Sequence, residues 1–146
     1  MTAPLVVVDA SVALAWFLPD SPSGLGYAQS VRSAQAERRI VSIVPDFWPV
    51  ETAYRLLKAA RTKPSPLRGS LAHAVDLLDN FPQAIEPSSR SVTEIVARAN
   101  EYFLQGWDAL YFDLAIRHKA RIATLDGGLK TACKRFNVPL WEPEPG

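Results

Sequence analysis

Four carboxylates stand where apolar strands end or where helices begin. Asp9 directly follows the β-branched run Leu5-Val6-Val7-Val8, and Asp126 closely follows the run Arg121-Ile122-Ala123-Thr124. Glu51 and Asp108 fall in the first turns of two helical stretches. In an open α/β sheet, ligands bind beyond the carboxyl ends of the strands, and helix starts point at the same edge. The spacing therefore predicts that the four acids converge. Like charges that close repel, so the cluster must hold protons or a cation. Oxygen ligands without Cys or His select Mg²⁺ rather than zinc, with Mn²⁺ as a substitute. Each acid also has a plainer use. Asp9, Asp108 and Asp126 could cap helices, and Glu51 could pair with Arg55 one turn later. Any one acid alone favours the plainer use; four at one sheet edge favour the cluster.

The elements that must position these acids are legible as alternating strands and helices. Leu5 to Val8 is apolar on both faces, as a buried strand is, and Ile40 to Val44 is a second such run. Between them lie a short helix over Ala10 to Leu18, stopped by Pro19, and another over Leu25 to Glu37. Phe47, Val50, Tyr54 and Leu57 recur at helical steps, with Pro49 tolerable in the first turn. That helix ends at the loop Thr62-Lys63-Pro64-Ser65-Pro66, and Leu67 to Phe81 is helical again. A weak strand near Ala84 to Glu86 follows. Ser91 with Glu94 is a capping box opening a helix to Leu104. Asp108 to Lys119 is helical, Arg121 to Thr124 a strand, Leu129 to Phe136 a helix and Val138 to Trp141 a last strand. This order predicts an α/β fold, with a central, mainly parallel, twisted sheet of about five strands and helices on both faces.

Composition narrows the class. The 146 residues include 16 Lys or Arg and 15 Asp or Glu, so the net charge of 16 − 15 = +1 excludes a histone-like binder of nucleic acid. With 48% hydrophobic and 21% charged residues the chain is globular rather than disordered. It is the length of one domain, with a core over about residues 5–141 and a tail at 142–146. Cys133 is the only cysteine, which leaves no intrachain disulfide and no Cys-x-x-Cys metal site. The apolar start, Met1 to Pro19, is interrupted by Asp9 and has no preceding basic residue, unlike a signal peptide. The uncharged run from Ala10 to Pro19 is half the roughly 20 residues of a spanning helix. A cytoplasmic protein with no membrane association is expected.

Val6-Val7-Val8-Asp9-Ala10-Ser11, Pro45 through Glu51, Trp107-Asp108-Ala109-Leu110-Tyr111 and Ala123-Thr124-Leu125-Asp126 together resemble the four acidic motifs of PIN-domain ribonucleases. The nearest subgroup is the VapC toxins of VapBC toxin–antitoxin pairs, and the resemblance runs from Leu5 to Trp141. It implies a single PIN-like domain and a Mg²⁺-dependent endoribonuclease that hydrolyses phosphodiester bonds in structured RNA, leaving a 5′-phosphate. Asp9, Glu51, Asp108 and Asp126 would be its metal-binding catalytic acids. Ser11 and Thr124 would be hydroxyls beside them, contacting a carboxylate, a water or the phosphate. The resemblance also implies a small antitoxin as partner. Two features depart from the pattern: Tyr54 stands where the family often has Asn, and the Pro64-Ser65-Pro66 loop is unusually stiff.

Two basic stretches could meet a phosphate backbone: Arg55, Lys58, Arg61, Lys63 and Arg68, and then Arg117, Lys119, Arg121, Lys130, Lys134 and Arg135. The Trp16-Phe17 pair on a short helix is expected to leave one ring outward. Such a ring would suit docking of an antitoxin peptide or a second subunit, and a homodimer is expected. Asp113, five positions past Asp108, rotates away on the helix and can make an exposed pair with Arg117. A haloacid-dehalogenase-type phosphatase needs a second Asp where Ser11 stands, and the contiguous P-loop and Gly-x-Ser-x-Gly patterns are absent. The remaining rival is a non-catalytic PIN-like module that binds RNA or a protein.

Overall fold

The computed structural model describes residues 2–88 and 91–145. Among the described residues the elements run β1 (Leu5–Val8), α1 (Ala10–Leu14), α2 (Pro22–Ala36), β2 (Val41–Pro45), α3 (Trp48–Arg61), α4 (Leu71–Asn80), β3 (Ala84–Glu86), α5 (Val92–Tyr102), α6 (Gly106–His118), β4 (Arg121–Ala123) and α7 (Gly127–Phe136). The sheet order is β3-β2-β1-β4, and every pairing is parallel. Val6, Val7 and Val8 are all fully buried, although consecutive strand residues point to opposite faces. Both faces of β1 are therefore covered. α6 packs across β1, β2 and β4. Each fully buried Val or Leu of this kind stabilises the fold by about 1.5–3 kcal/mol.

The chain leaves β1 for β2 on one side and returns to β4 on the other. That reversal opens a crevice at the carboxyl end of the sheet. Asp9 N–H still bonds to the Ala123 carbonyl at 3.0 Å, so the residue after β1 is fixed directly against the end of β4.

Three expectations need correction. Val138–Trp141 does not extend the sheet by a full fifth strand. Only Leu140 bridges Ile122 in parallel, with Trp141 N–H on the Ile122 carbonyl at 2.8 Å. Pro139 has no N–H to give to a ladder, and the chain runs on into Pro143. The Trp16-Phe17 pair has no outward ring; the two residues are 7% and 4% exposed. α1 stops at Leu14, and the following turn carries Trp16 inward, where its indole N–H donates to the Ala28 carbonyl at 2.8 Å and its ring meets Phe81 edge-on. Asp113 does pair with Arg117 at 3.1 Å, but it is 4% exposed rather than on the surface. Of the tail, residues 142–145 carry no regular structure, and residue 146 lies outside the described residues.

Candidate active site

Asp9 is the centre of the site, and its surroundings are built from two chain segments. It occupies the cap position of α1 with extended backbone, yet its side chain makes no capping bond. Instead Ser11 Oγ and Thr124 Oγ1 both donate to Asp9 Oδ2 at 2.7 Å. Each hydroxyl in turn accepts a backbone N–H from the loop after β4: Leu125 to Ser11 at 3.1 Å, and Asp126 to Thr124 at 2.9 Å. Those two amides fix where the hydroxyl hydrogens point, and they point at Asp9. Burial pushes the Asp9 carboxyl above its ordinary range; the two hydroxyls oppose that rise, and the Asp126 charge adds to it.

Glu51 lies in the first turn of α3, half-buried, where the α3 backbone presents it toward α6. Its Oε1 accepts a hydrogen bond from the Tyr111 hydroxyl at 2.9 Å. Desolvation raises its pKa, the Tyr111 bond lowers it, and the Asp9 charge raises it again. Arg55, one turn on, acts only as a weaker opposing charge. Asp108 sits in the first turn of α6, but the cap of that helix is Gln105, so Asp108 is not a cap. Gly106, at φ +50°, allows the abrupt entry that sets Trp107 and Asp108 at the helix start. Asp108 is pushed up to about 6, first by desolvation and then by the charges of Asp126, Asp9 and Glu51. Asp126 does cap α7, its Oδ2 accepting Leu129 N–H at 2.9 Å.

The four acids thus lie within electrostatic reach of one another, through Asp108, at the end of β1 and β4. They are not drawn tight. Among the described residues no three Asp, Glu, His or Cys side chains stand close enough to enclose an ion. Three of the four carboxylates are instead engaged by partners of their own: Asp9 by hydroxyls, Glu51 by Tyr111, Asp126 by its helix. The donor set nonetheless fits a hard divalent cation. It is all carboxylate oxygen, it is partly desolvated, and none of the four acids forms an ion pair with Lys or Arg among the described residues.

One residue of this site escapes a reading of the sequence. Tyr111 is fully buried, and its hydroxyl links three elements, donating to Glu51 of α3 while accepting the Ala10 N–H of α1 at 3.3 Å. Burial, the neighbouring Asp9 and Glu51 charges and the bond to Glu51 all hold its proton on, well above the ordinary tyrosine range. Two cavities flank the site. One of about 180 Å³ is lined by Ser11, Arg55 and Leu125 among others, and one of about 280 Å³ by Thr124, Leu125 and Lys130. Each basic stretch therefore sends one cation to the rim.

A parallel sheet with helices over it and an acid cluster at the reversal of its carboxyl edge places the chain in the open α/β class, where ligands bind at that edge. Within that class the chain belongs to the PIN domain family, which matches residues 6–135 and whose members are generally nucleases. A search of curated proteins finds no significant match. Among solved structures the chain is similar to PAE2754 from Pyrobaculum aerophilum, with 20% identity over 88% of this chain and 79% of that one, and a TM-score of 0.61. It is also similar to VapBC2 from Rickettsia felis, solved bound to a DNA fragment from their promoter, with 13% identity over 94% and 97% of the two chains and a TM-score of 0.60. At these identities the likeness is one of fold. Among the described residues no helix is long and apolar enough to cross a membrane.

Proposed function

We propose that this chain is a Mg²⁺-dependent endoribonuclease, the toxin of a type II toxin–antitoxin pair that cleaves structured RNA in the cytoplasm. The observation that carries the proposal is the Asp9 cluster: a buried carboxylate oriented by Ser11 and Thr124, with Glu51, Asp108 and Asp126 around it. Membership of the PIN domain family supports it, and likeness to VapBC2 supports a small antitoxin as partner. Asp9, Glu51, Asp108 and Asp126 would hold Mg²⁺, or Mn²⁺ in its place. When bound, the metal would neutralise charge on the scissile phosphate and make an attacking water more acidic.

The chain's own residues supply the rest. Ser11 and Thr124 hold the Asp9 carboxylate in one orientation, and Tyr111 does the same for Glu51, so neither must be ordered as substrate arrives. Arg55 and Lys130, on either side, suit the phosphates flanking the cut. A second reading, a non-catalytic RNA- or protein-binding PIN-like module, draws on the acids not being drawn tight.

Purified chain incubated with RNA separates the two. Cleavage is expected with Mg²⁺, leaving 5′-phosphate ends, and is expected to vanish with EDTA and in Asp9→Asn. Expression should halt growth until a neighbouring antitoxin is co-expressed. Undiminished cleavage by extensively chelated protein would overturn metal dependence. Intact RNA together with harmless expression would favour the binding module.

A further inference from the structure

Trp107 is the exposed tryptophan of this chain. Trp16, Trp48 and Trp141 are buried at 7%, 2% and 6% exposure, whereas Trp107 is 56% exposed. It is not loose. Its ring lies against Phe47 with centroids 4.5 Å apart and planes tilted by 36°, and Phe47 in turn meets Tyr111 edge-on at 5.3 Å. With Phe47 against its ring, this half-exposed residue still offers aromatic surface to solvent. The pair also bridges the two helix starts that matter here. Phe47 precedes the α3 turn that carries Glu51, and Trp107 precedes Asp108 on α6. This aromatic surface, stacked on a residue that itself touches Tyr111 beside Glu51, is open to a ligand with a flat face.

We propose that Trp107, backed by Phe47, is a stacking platform for an unpaired nucleobase adjoining the scissile phosphate. This rests on the nuclease proposal and adds to it the part of the substrate that the acids do not read. Acids and cations engage phosphates, which all nucleic acids share, while an aromatic face engages a base only where it is unstacked. RNA loops and bulges present such bases; the interior of a duplex does not. Stacking tolerates every base, so the platform selects unpaired structure rather than sequence.

The test uses the full chain in EDTA, with a 2′-O-methyl oligouridine and an abasic oligomer of equal length as probes. Because the other three tryptophans are buried, acrylamide-quenchable fluorescence reports Trp107. The oligouridine should change that signal and the abasic oligomer should not. Trp107→Ala should weaken oligouridine binding by about 5- to 150-fold, leave abasic binding unchanged, and raise KM for RNA more than it lowers kcat. Trp107→Phe should recover part of the loss, and circular dichroism should show both variants folded. Wild-type RNA cleavage with Trp107 fluorescence indifferent to the oligouridine, or equally sensitive to the abasic oligomer, would overturn the platform alone. Protection of Trp107 by a co-expressed protein but not by the oligouridine would overturn it in favour of a protein anchor. Failure of the wild type to bind or cleave RNA at all would remove both the platform and the nuclease proposal.

Discussion

Tyr111 shows how one hydroxyl can order the candidate site proposed for the four acids. Tyr111→Phe keeps the ring and its packing but removes the donor to Glu51 and the acceptor for Ala10 N–H. Leaving such groups without partners costs about 1–3 kcal/mol, which a denaturant titration of the metal-free protein should register. Freed from Tyr111, Glu51 should bind Mg²⁺ more weakly, and RNA cleavage should fall with it. Cleavage and metal affinity equal to wild type would show that the hydroxyl serves the scaffold alone. Asp9 and Asp126 are legible in the sequence because a charge at the end of an apolar run stands out against it, and Glu51 and Asp108 because each falls in the first turn of a periodic helical stretch. Tyr111 is not, because in Leu110-Tyr111-Phe112 it looks like one more core residue. The signal available is its place three positions after Asp108, on the same face of a helix. Asp113 misleads for the converse reason. Its pairing with Arg117 at i,i+4 is readable, but its burial is set by what packs over α6, which spacing does not state.

At the scale of elements, α7 joins stability to chemistry through one side chain. Asp126 caps the helix and also faces the cluster, so its two duties can be separated by substitution. Asp126→Asn keeps a cap of similar quality and relieves the charge on Asp9 and Asp108, so its thermal stability without metal should be at or above wild type while cleavage collapses. Asp126→Ala loses the cap as well and should be less stable by about 1 kcal/mol. Equal cleavage by Asp126→Asn and wild type would leave Asp126 as a cap and nothing more. The order of strands and helices is legible from β-branched runs and helical periodicity, and Ser91 does accept Glu94 N–H at the start of α5. Element ends differ by a few residues. The larger differences arise where tertiary contacts decide: Pro139 limits the last strand to a bridge, and α2 folds over Trp16 instead of leaving it outward.

Across the whole molecule, the proposed chemistry requires four acids from four distant segments to act as one unit that a divalent cation completes. The reversal between β1 and β4 explains why residues 9 and 126 meet, and it follows from the parallel order that the alternating elements imply. What no residue count could supply is the charge balance at that edge, where Asp108 is raised to about 6 by burial and by its three acidic neighbours. A carboxyl whose folded pKa is raised favours folding at low pH, and that contribution is lost as pH rises through about 6. Above it, metal-free wild type carries the repulsion and Asp108→Asn does not. Thermal melts of wild type, Asp108→Asn and Asp113→Asn above that pH, with EDTA and with Mg²⁺, test this most directly. Without metal, Asp108→Asn should melt at or above wild type, while Asp113→Asn starts lower because it gives up the buried charge paired with Arg117. With Mg²⁺ a hundredfold above its dissociation constant, wild type and Asp113→Asn should each gain about 2.7 kcal/mol, and Asp108→Asn much less. Equal gains in all three proteins, or none in wild type, would contradict the metal-binding site.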